Sequence, residues 1–439
     1  MMKQTARILV AIAVLLGGAL GAPHGASADP LPRRGLLGAL LEDAGTGVRI
    51  TSVVPGSAAD RARLRAGDVV RTIDGRAPGS ATDVVQLVRQ HAAGARIDVA
   101  IERDGRAMDV GVALGTPANE NDPAVRTLYE SVVVDGTLRR TLVDVPANGA
   151  GRRPAVLLIG GIGCFSVDVA TDPNDGYLRI TRDLAKAGFV SMRLEKSGVG
   201  DSRGEPCRDV DFAHESDGYA VALNALRHDP HVDPRRVYLL GHSIGTLIAP
   251  RLALAQPVAG VIVAEAVGRD WFEYELANLR RQLDASATPP ADVDAILASK
   301  ERCMHRLLIA REPEAAIERD EPACKTRNGV YPVAPPYMQQ VAALNVIEPW
   351  TRVAVPVLVV YGTSDAVVAA DDHARITAVV NAAHPGLATL RVIDGMDHDL
   401  RLSPSQAAFL SASPAERARE PYATAFSDAL IGWLNARSR

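Results

Sequence analysis

The most constraining feature of the sequence is the pentapeptide Gly-His-Ser-Ile-Gly at 241–245, which separates two apolar segments. Residues 237–240 have the length and composition of a buried strand, and residues 246–255 those of a helix. A Gly-x-Ser-x-Gly sequence between a strand and a helix is typical of a sharp turn that lifts the serine hydroxyl clear of a sheet. The chain is therefore expected to contain a β-sheet covered by helices, with Ser243 at one edge.

Other short apolar runs alternate with helical patterns through the second part of the chain. Such runs are typical of strands that are buried on both faces of a sheet. Strands are predicted at 155–159, 189–194, 237–240, 258–264, 355–361 and 390–393, after a hairpin at 131–145, with helices at 175–186, 217–227 and 246–255. Repeated βα units predict a mainly parallel sheet. The long connection between the strands at 258–264 and 355–361 predicts a helical cap insertion at about 265–352.

A serine hydroxyl needs a base to remove its proton, and the base needs a carboxylate to orient it. Asp365 follows the strand at 355–361, and His398 follows the strand at 390–393. Both lie at carboxyl ends of predicted strands, where sites form in open parallel sheets. We predict Ser243 as the nucleophile, His398 as the base and Asp365 as the orienting acid.

Other acids and histidines are weaker candidates. The alternative acids are Asp371 and Asp372 on the following helix and Asp397 and Asp399 beside the histidine; the rival base is His242. The remaining histidines are predicted to be surface groups, namely His91, His214, His228, His231, His305, His373 and His384. Aromatic residues of the cap are expected either to line an acyl pocket or to pack within the cap, namely Trp271, Phe272, Tyr274 and Tyr337.

The segment 124–439 resembles the α/β-hydrolase superfamily. Besides the pentapeptide and the chain order of serine, acid and histidine, residues 195–202 match an Asp-x-x-Gly-x-Gly-x-Ser stretch of that superfamily, with Glu195 in place of aspartate. The loop Gly-Gly-Ile-Gly at 160–163 resembles the His-Gly-x-Gly loop of lipases, with glycine in place of the histidine.

The lipase resemblance implies an oxyanion hole built from two backbone N–H groups. One is expected from Ile244, the residue after the nucleophile. The other is expected from Ile162, and Gly161 remains an alternative.

The N-terminal part follows a different pattern. The stretch at 53–59 reads Val-x-Pro-Gly-Ser-Ala-Ala, and that at 64–75 reads Leu-x-x-Gly-Asp-Val-Val-x-x-Ile-Asp-Gly. Together with alternating strands, these stretches resemble a PDZ domain of the bacterial periplasmic-protease type. We predict this α+β domain at 29–116 and a linker at 117–123, which is rich in polar residues and ends in proline.

The PDZ resemblance implies that a peptide, often its C-terminus, is added as a strand to a sheet edge. The carboxylate-binding loop would consist of Gly35, Leu36, Leu37 and Gly38. The alternative is a scaffold or dimer contact without a peptide ligand.

The first residues have the three parts of a secretory signal peptide. Lys3 and Arg7 precede an apolar run at 8–20, which is too short to span a bilayer, and Ala-Ser-Ala at 26–28 is a typical cleavage site. We therefore predict a cleaved signal peptide at 1–28 and a secreted or periplasmic protein; the alternative is an uncleaved anchor. No later stretch predicts a stable membrane span.

Export favours disulfide bonds. The four cysteines allow three pairings, of which we favour Cys164–Cys207 with Cys303–Cys324; the alternative is that they are buried free thiols. None of them has a neighbour at the spacing of a zinc site, so no metal is predicted.

The net charge of −4 disfavours nucleic acid as a partner, and no motif predicts a cofactor. The sequence thus predicts an exported serine hydrolase that cleaves carboxylic esters of small molecules through an acyl-enzyme. A peptidase or amidase on the same fold is the alternative within enzymes, and a non-catalytic peptide-binding protein is the alternative outside them.

Overall fold

The computed structural model describes residues 31–45, 47–148, 151–328 and 331–438. The predicted signal peptide at 1–28 therefore lies outside the described residues. The described strands form two sheets, one of five strands and one of eight.

The smaller sheet is antiparallel, with its strands in sequence order and β1 at one edge. It consists of β1 (Ala39–Asp43), β2 (Val48–Val53), β3 (Val69–Ile73), β4 (Arg96–Arg103) and β5 (Arg106–Ala113), with helices α1 (Ala58–Arg61) and α2 (Ala81–Arg89). Ser57 and Ser80 cap the two helices by accepting hydrogen bonds from the N–H groups of Asp60 and Asp83. The core of this unit contains residues from 37 to 114 only, so it has its own hydrophobic core.

The larger sheet has the order β13-β12-β11-β10-β8-β9-β7-β6. Its strands are β6 (Val125–Val134), β7 (Thr137–Pro146), β8 (Arg153–Ile159), β9 (Val190–Leu194), β10 (Val232–His242), β11 (Gly260–Ala264), β12 (Val357–Gly362) and β13 (Ala388–Ile393). Strands β8 to β13 are mutually parallel, and β7 is antiparallel to both of its neighbours. The predicted hairpin forms between β6 and β7, with Asp135 and Gly136 in left-handed turn conformations.

Helices cover both faces of the larger sheet because its central strands are apolar on both sides. The helices outside the cap are α3 (Gly176–Lys186), α4 (Phe212–His228), α5 (Gly245–Ala255), α12 (Ala370–Ala383), α13 (Gln406–Ser411), α14 (Pro414–Arg417) and α15 (Thr424–Asn435). On β8, Leu157 belongs to one hydrophobic cluster with α4 and α5, whereas Val156 and Leu158 belong to another with α3 and α15.

The predicted cap segment between β11 and β12 is helical. It contains α6 (Trp271–Ala285), α7 (Pro290–Met304), a π-helical turn (His305–Ile309), α8 (Glu314–Asp320), α9 (Cys324–Asn328), α10 (Pro335–Ala342) and α11 (Glu348–Arg352). Part of it packs into the core of the larger sheet through Trp271, Tyr274 and Trp350.

The two units contact each other through residues that precede β1. The backbone N–H of Arg34 donates to Asp201 Oδ1 at 2.8 Å, and its Nη2 donates to the carbonyl of Ser202 at 2.7 Å. Arg33 pairs with Asp168 at 2.7 Å. These bonds join the small unit to loops at the carboxyl ends of β8 and β9.

The order in which successive strands join the larger sheet reverses at β8: β9 lies on one side of β8, and the next strand, β10, lies on the other side. Loops that leave the carboxyl ends of neighbouring parallel strands in opposite directions open a crevice, which is the usual place for a binding site. The turn with Ser243 and the loop after Ile159 both border this crevice.

Among the described residues, we find no helix of the length and apolar character needed to cross a bilayer.

Candidate active site

The turn between β10 and α5 holds Ser243 in a strained conformation. Its φ angle is +54°, which L-residues adopt rarely. A Cβ on Gly241 would lie 2.6 Å from the carbonyl oxygen of Gly245, and one on Gly245 would lie 2.3 Å from that of Ile159. Only glycine therefore fits at both positions, and the pentapeptide sets the close packing of helix against strand.

The structure brings the three predicted catalytic side chains together. His398 Nε2 lies 3.0 Å from Ser243 Oγ, and His398 Nδ1 lies 2.7 Å from Asp365 Oδ2. The other carboxylate oxygen, Asp365 Oδ1, accepts hydrogen bonds from the N–H groups of Val367 at 2.5 Å and Val368 at 3.0 Å. Both oxygens of Asp365 thus have fixed and different partners.

The alternative acids have other partners. Asp397 accepts hydrogen bonds from the N–H groups of Asp399 and Arg401. Asp372 pairs with Arg269 at 2.7 Å, and Asp399 lies 3.4 Å from Arg417. The structure therefore places only Asp365, of the candidate acids, against His398 Nδ1.

Asp365 and His398 shift each other's pKa. Burial lowers the pKa of His398, but the carboxylates of Asp365, Asp399 and Asp397 together outweigh burial, so that the pKa lies above the usual 6.5. Burial raises the pKa of Asp365, but His398, with smaller effects of Glu265 and the N–H of Val368, outweighs burial and holds this pKa well below its usual range. The pair therefore favours an ionised Asp365 that orients and stabilises the imidazole.

Glu265 is a neighbour of this pair that the sequence analysis did not identify. It directly follows β11, has a φ angle of +50° and is fully buried. Burial and the Asp365 carboxylate raise its pKa well above the usual 4.5, so its neutral acid form is favoured beside Asp365. Its position immediately after a buried parallel strand is the signal that points to such a residue.

Two backbone N–H groups next to Ser243 have no acceptor among the described residues. They belong to Ile162 and Ile244, and both residues line the same cavity as Ser243. Gly161, the alternative donor, differs: its N–H donates to Tyr177 Oη at 2.8 Å.

His242 does not contact Ser243 as a base would. Its Nδ1 lies 2.8 Å from Tyr177 Oη, and its Nε2 lies 2.9 Å from the carbonyl oxygen of His398. Burial, with a smaller effect of His398, lowers the pKa of His242 to about 3. The side chain is therefore neutral, with the Nε2 proton donated to that carbonyl.

One of the histidines predicted to lie at the surface does not. His373 is completely buried, where Nε2 accepts a hydrogen bond from the N–H of Ala266 at 2.8 Å and Nδ1 bonds to the carbonyl of Ala369. The prediction was wrong because helix α12 packs this face against the end of β11, a tertiary contact that has no local sequence signal.

A cavity of about 530 Å³ lies above the three side chains. From the cap, Trp271, Tyr274 and Tyr331 line it. Phe272 and Tyr337 do not line it; Tyr337 packs edge-on against Phe212, with ring centres 5.6 Å apart. Of the four aromatic residues, two thus line the cavity, and Tyr331 is a lining residue that the sequence did not indicate.

The structure contains both favoured disulfide bonds. Cys164, in the loop after β8, is bonded to Cys207 in the 3₁₀ turn Cys207–Asp209 that follows β9. Cys303 and Cys324 join α7 to α9 within the cap. The first bond therefore ties the loop after β8 to the loop after β9.

In the small unit, the segment 35–38 leads directly into β1. Leu36 exchanges two backbone hydrogen bonds with Gly115, whereas the N–H groups of Leu37 and Gly38 have no acceptor among the described residues. The side chain of Leu36 is exposed and that of Leu37 is buried.

Two known family models match this chain, one in the unit with the larger sheet and one in the unit with the smaller sheet. A family model described as serine aminopeptidase, S33, matches residues 171–404, more than half of the sequence. The chain belongs to the serine aminopeptidase S33 family. A PDZ domain model matches residues 35–114 of this S33 family member. The resemblances to α/β hydrolases and to PDZ domains are thereby confirmed.

Relatives of this S33 family member include both esterases and proteases. Esterase EstD from Thermotoga maritima is 29% identical over 167 residues, which are 34% of this chain and 39% of EstD. Thiohydrolase apmlB from Arthrinium phaeospermum is 27% identical over 154 residues, which are 35% of this chain and 47% of that protein. A probable periplasmic serine protease do/HhoA-like from Haemophilus influenzae is 28% identical over 209 residues, 45% of this chain and 39% of the protease.

The chain thus spans less than half the length of these curated relatives. Among solved structures, that of Est1E from Butyrivibrio proteoclasticus with bound ferulic acid has a TM-score of 0.46 and 14% identity, and covers 70% of this chain and 98% of Est1E.

Proposed function

We propose that this chain is an exported serine hydrolase that cleaves carboxylic esters through an acyl-enzyme. The observation that carries the proposal is the continuous hydrogen-bond chain from Ser243 through His398 to Asp365 at the floor of a cavity. An intact chain of this kind favours catalysis over the alternative of a peptide-binding protein that only retains the fold.

In the first half of the reaction, His398 Nε2 removes the proton from Ser243 Oγ while the oxygen attacks the ester carbonyl. The negative oxygen of the tetrahedral intermediate accepts hydrogen bonds from the N–H groups of Ile162 and Ile244. Protonated His398 then gives its proton to the leaving alkoxide, and the acyl group remains on Ser243. Asp365 stabilises the imidazolium throughout.

In the second half, His398 removes a proton from a water molecule, which attacks the acyl-enzyme carbonyl. Collapse of the second tetrahedral intermediate returns the proton to Ser243 Oγ and releases the carboxylic acid. The cavity wall formed by Trp271, Tyr274 and Val267 favours an acyl group that is apolar and of moderate size.

The experiment is a comparison of chromogenic esters with aminoacyl anilides on one preparation of the protein. We expect kcat/KM to be at least about tenfold higher for the best ester, since an alkoxide or phenolate leaves more readily than an amine. Higher activity on anilides would contradict the ester assignment.

The second candidate is a peptidase, and the description of the matching family favours it. The same three side chains serve an amide if His398 protonates the leaving nitrogen. Cleavage of aminoacyl anilides that depends on a free α-amino group would establish the peptidase assignment. If such cleavage is absent, the esterase assignment stands.

For the small unit, we infer that the free edge of β1 takes up the C-terminus of a peptide. Among the described strands, β1 pairs only with β2, so its other edge is open for strand addition. The N–H groups of Leu37 and Gly38 have no acceptor among the described residues and are suited to a terminal carboxylate. The peptide module would be 29–116, the linker 117–123 and the hydrolase 124–439.

This proposal is tested with one labelled peptide in two forms, with a free C-terminal carboxylate and with a C-terminal amide. Fluorescence anisotropy with a panel of apolar C-terminal sequences should show binding of the free acid and at least about tenfold weaker binding of the matched amide, because the amide lacks the charge. Equal binding of the two forms, or no binding across the panel, would favour a scaffold role.

Export is supported by the two disulfide bonds and by the similarity to periplasmic proteases. The proposal predicts that the mature protein begins near Asp29. N-terminal sequencing of protein from the cell exterior or the periplasm checks this point.

The pKa of His398 sets the acid limb of the pH profile. Activity needs neutral His398, and its pKa lies above the usual 6.5 because Asp365, Asp399 and Asp397 outweigh burial. We therefore expect kcat/KM to fall about tenfold per pH unit below a midpoint that lies above 6.5. A midpoint well below 6 would show that the carboxylates do not act on His398 in this way.

A further inference from the structure

The loop after β8 lacks the histidine that supports the corresponding loop in lipases, yet its central peptide groups are held from two sides. The carbonyl oxygen of Gly161 accepts a hydrogen bond from Lys196 Nζ at 2.7 Å. The N–H of Gly161 donates to Tyr177 Oη at 2.8 Å. Lys196 lies in the loop that follows β9 and Tyr177 lies in the first turn of α3, so both residues reach Gly161 from other parts of the fold.

Lys196 is itself held in place by buried partners. It is 8% exposed, forms an ion pair with Glu215 at 3.0 Å and lies over the ring of Phe165 at 5.8 Å. A buried ammonium group needs such a partner because the loss of hydration is costly. The side chain thus has one orientation, and in it the ammonium reaches the Gly161 carbonyl.

The bond from Lys196 determines where the next N–H points. The carbonyl of Gly161 and the N–H of Ile162 belong to one peptide unit, and in a trans peptide they point in opposite directions. No cis peptide occurs in the described chain. With the carbonyl directed at Lys196, the N–H of Ile162 is directed away from it, and this N–H has no acceptor among the described residues.

Tyr177 fixes the preceding peptide unit and connects it to the catalytic histidine. Its hydroxyl accepts the hydrogen bond from the Gly161 N–H and donates its own proton to His242 Nδ1, whose Nε2–H reaches the carbonyl of His398. One set of hydrogen bonds therefore fixes both the oxyanion loop and the backbone of the base.

We propose that Lys196 and Tyr177 are positioning residues of the oxyanion hole, which together orient the Gly161–Ile162 peptide so that the Ile162 N–H faces the oxygen of the tetrahedral intermediate. The proposal rests on the proposed function. Lys196 also places a positive charge behind this peptide, which makes the N–H a stronger donor toward a developing oxyanion.

The test uses the full-length protein and removes the lysine together with its ion-pair partner, so that no unpaired charge is buried. Relative to the wild-type protein, the double variant Lys196→Met/Glu215→Gln should lose about 10²-fold in kcat with a much smaller change in KM. The binding of a trifluoromethyl ketone, which forms a tetrahedral adduct, should weaken by a similar factor.

Tyr177→Phe provides a second variant that removes a single hydroxyl group. This variant should also lower kcat by a larger factor than the factor by which KM changes, because the Gly161 peptide loses its hydrogen bond to Tyr177. Circular dichroism and thermal melts verify that all variants are folded.

A kcat of the double variant within threefold of the wild-type value would overturn the proposal. Equal weakening of the ketone and of a non-hydrolysable ground-state analogue would also overturn it, because the effect would then not be specific to the oxyanion. Failure of the proposed function is distinguishable, since in that case the wild-type protein itself would not hydrolyse esters.

Discussion

Replacement of Ser243 by alanine should abolish ester hydrolysis, with a fall in kcat on the order of 10⁴-fold or more. The variant keeps the strained turn but has no oxygen to form the acyl-enzyme, so only the weak catalysis by the oxyanion hole and binding remains. The measurement is steady-state hydrolysis of the best chromogenic ester, with active-site concentration taken from the wild-type protein.

Ser216→Ala is the matched control for this variant. Ser216 lies on α4, where its hydroxyl donates to the carbonyl of Phe212, and it does not line the cavity. It should retain near wild-type kcat. Ester hydrolysis that survives Ser243→Ala would refute Ser243 as the nucleophile.

The second large effect is expected for Asp365→Asn. Because Oδ1 of Asp365 accepts two backbone N–H bonds, the amide oxygen of asparagine should occupy that position and its NH₂ group should face His398 Nδ1. The imidazole would then carry its proton on Nε2, where it cannot accept the serine proton. We expect kcat to fall by about 10⁴-fold, as for an incorrect tautomer.

The remaining activity of Asp365→Asn carries a second signature. Without the carboxylate, the pKa of His398 should drop, so the acid limb of the residual pH profile should move to lower pH. Asp371→Asn on α12 is the matched control and should leave both rate and profile unchanged. A small loss in Asp365→Asn together with a large loss in Asp397→Asn would reassign the acid.

The sequence was sufficient to predict the residues whose positions follow from strand ends. Ser243, Asp365 and His398 each follow a short apolar run, and parallel strands bring their carboxyl ends to one edge of the sheet. The hairpin predicted at 131–145 is confirmed as well, because its turn at Asp135 and Gly136 is a local feature with a direct residue signature.

The supporting residues were not predictable in this way. Lys196 and Tyr177 reach the loop after β8 from other elements, and their role depends on side-chain directions that no local pattern encodes. His373 was assigned to the surface because its burial results from helix packing. Tyr331 lies in an irregular part of the cap, so no helical spacing indicated that it lines the cavity.

The most direct test of Ser243 as the nucleophile is covalent labelling with a fluorophosphonate, followed by mass spectrometry of the digested protein. We expect loss of activity together with one phosphonyl adduct on the peptide that contains Ser243, and no adduct on the Ser243→Ala variant. An active protein that is not labelled, or that is labelled and inactivated at a different residue, would contradict it.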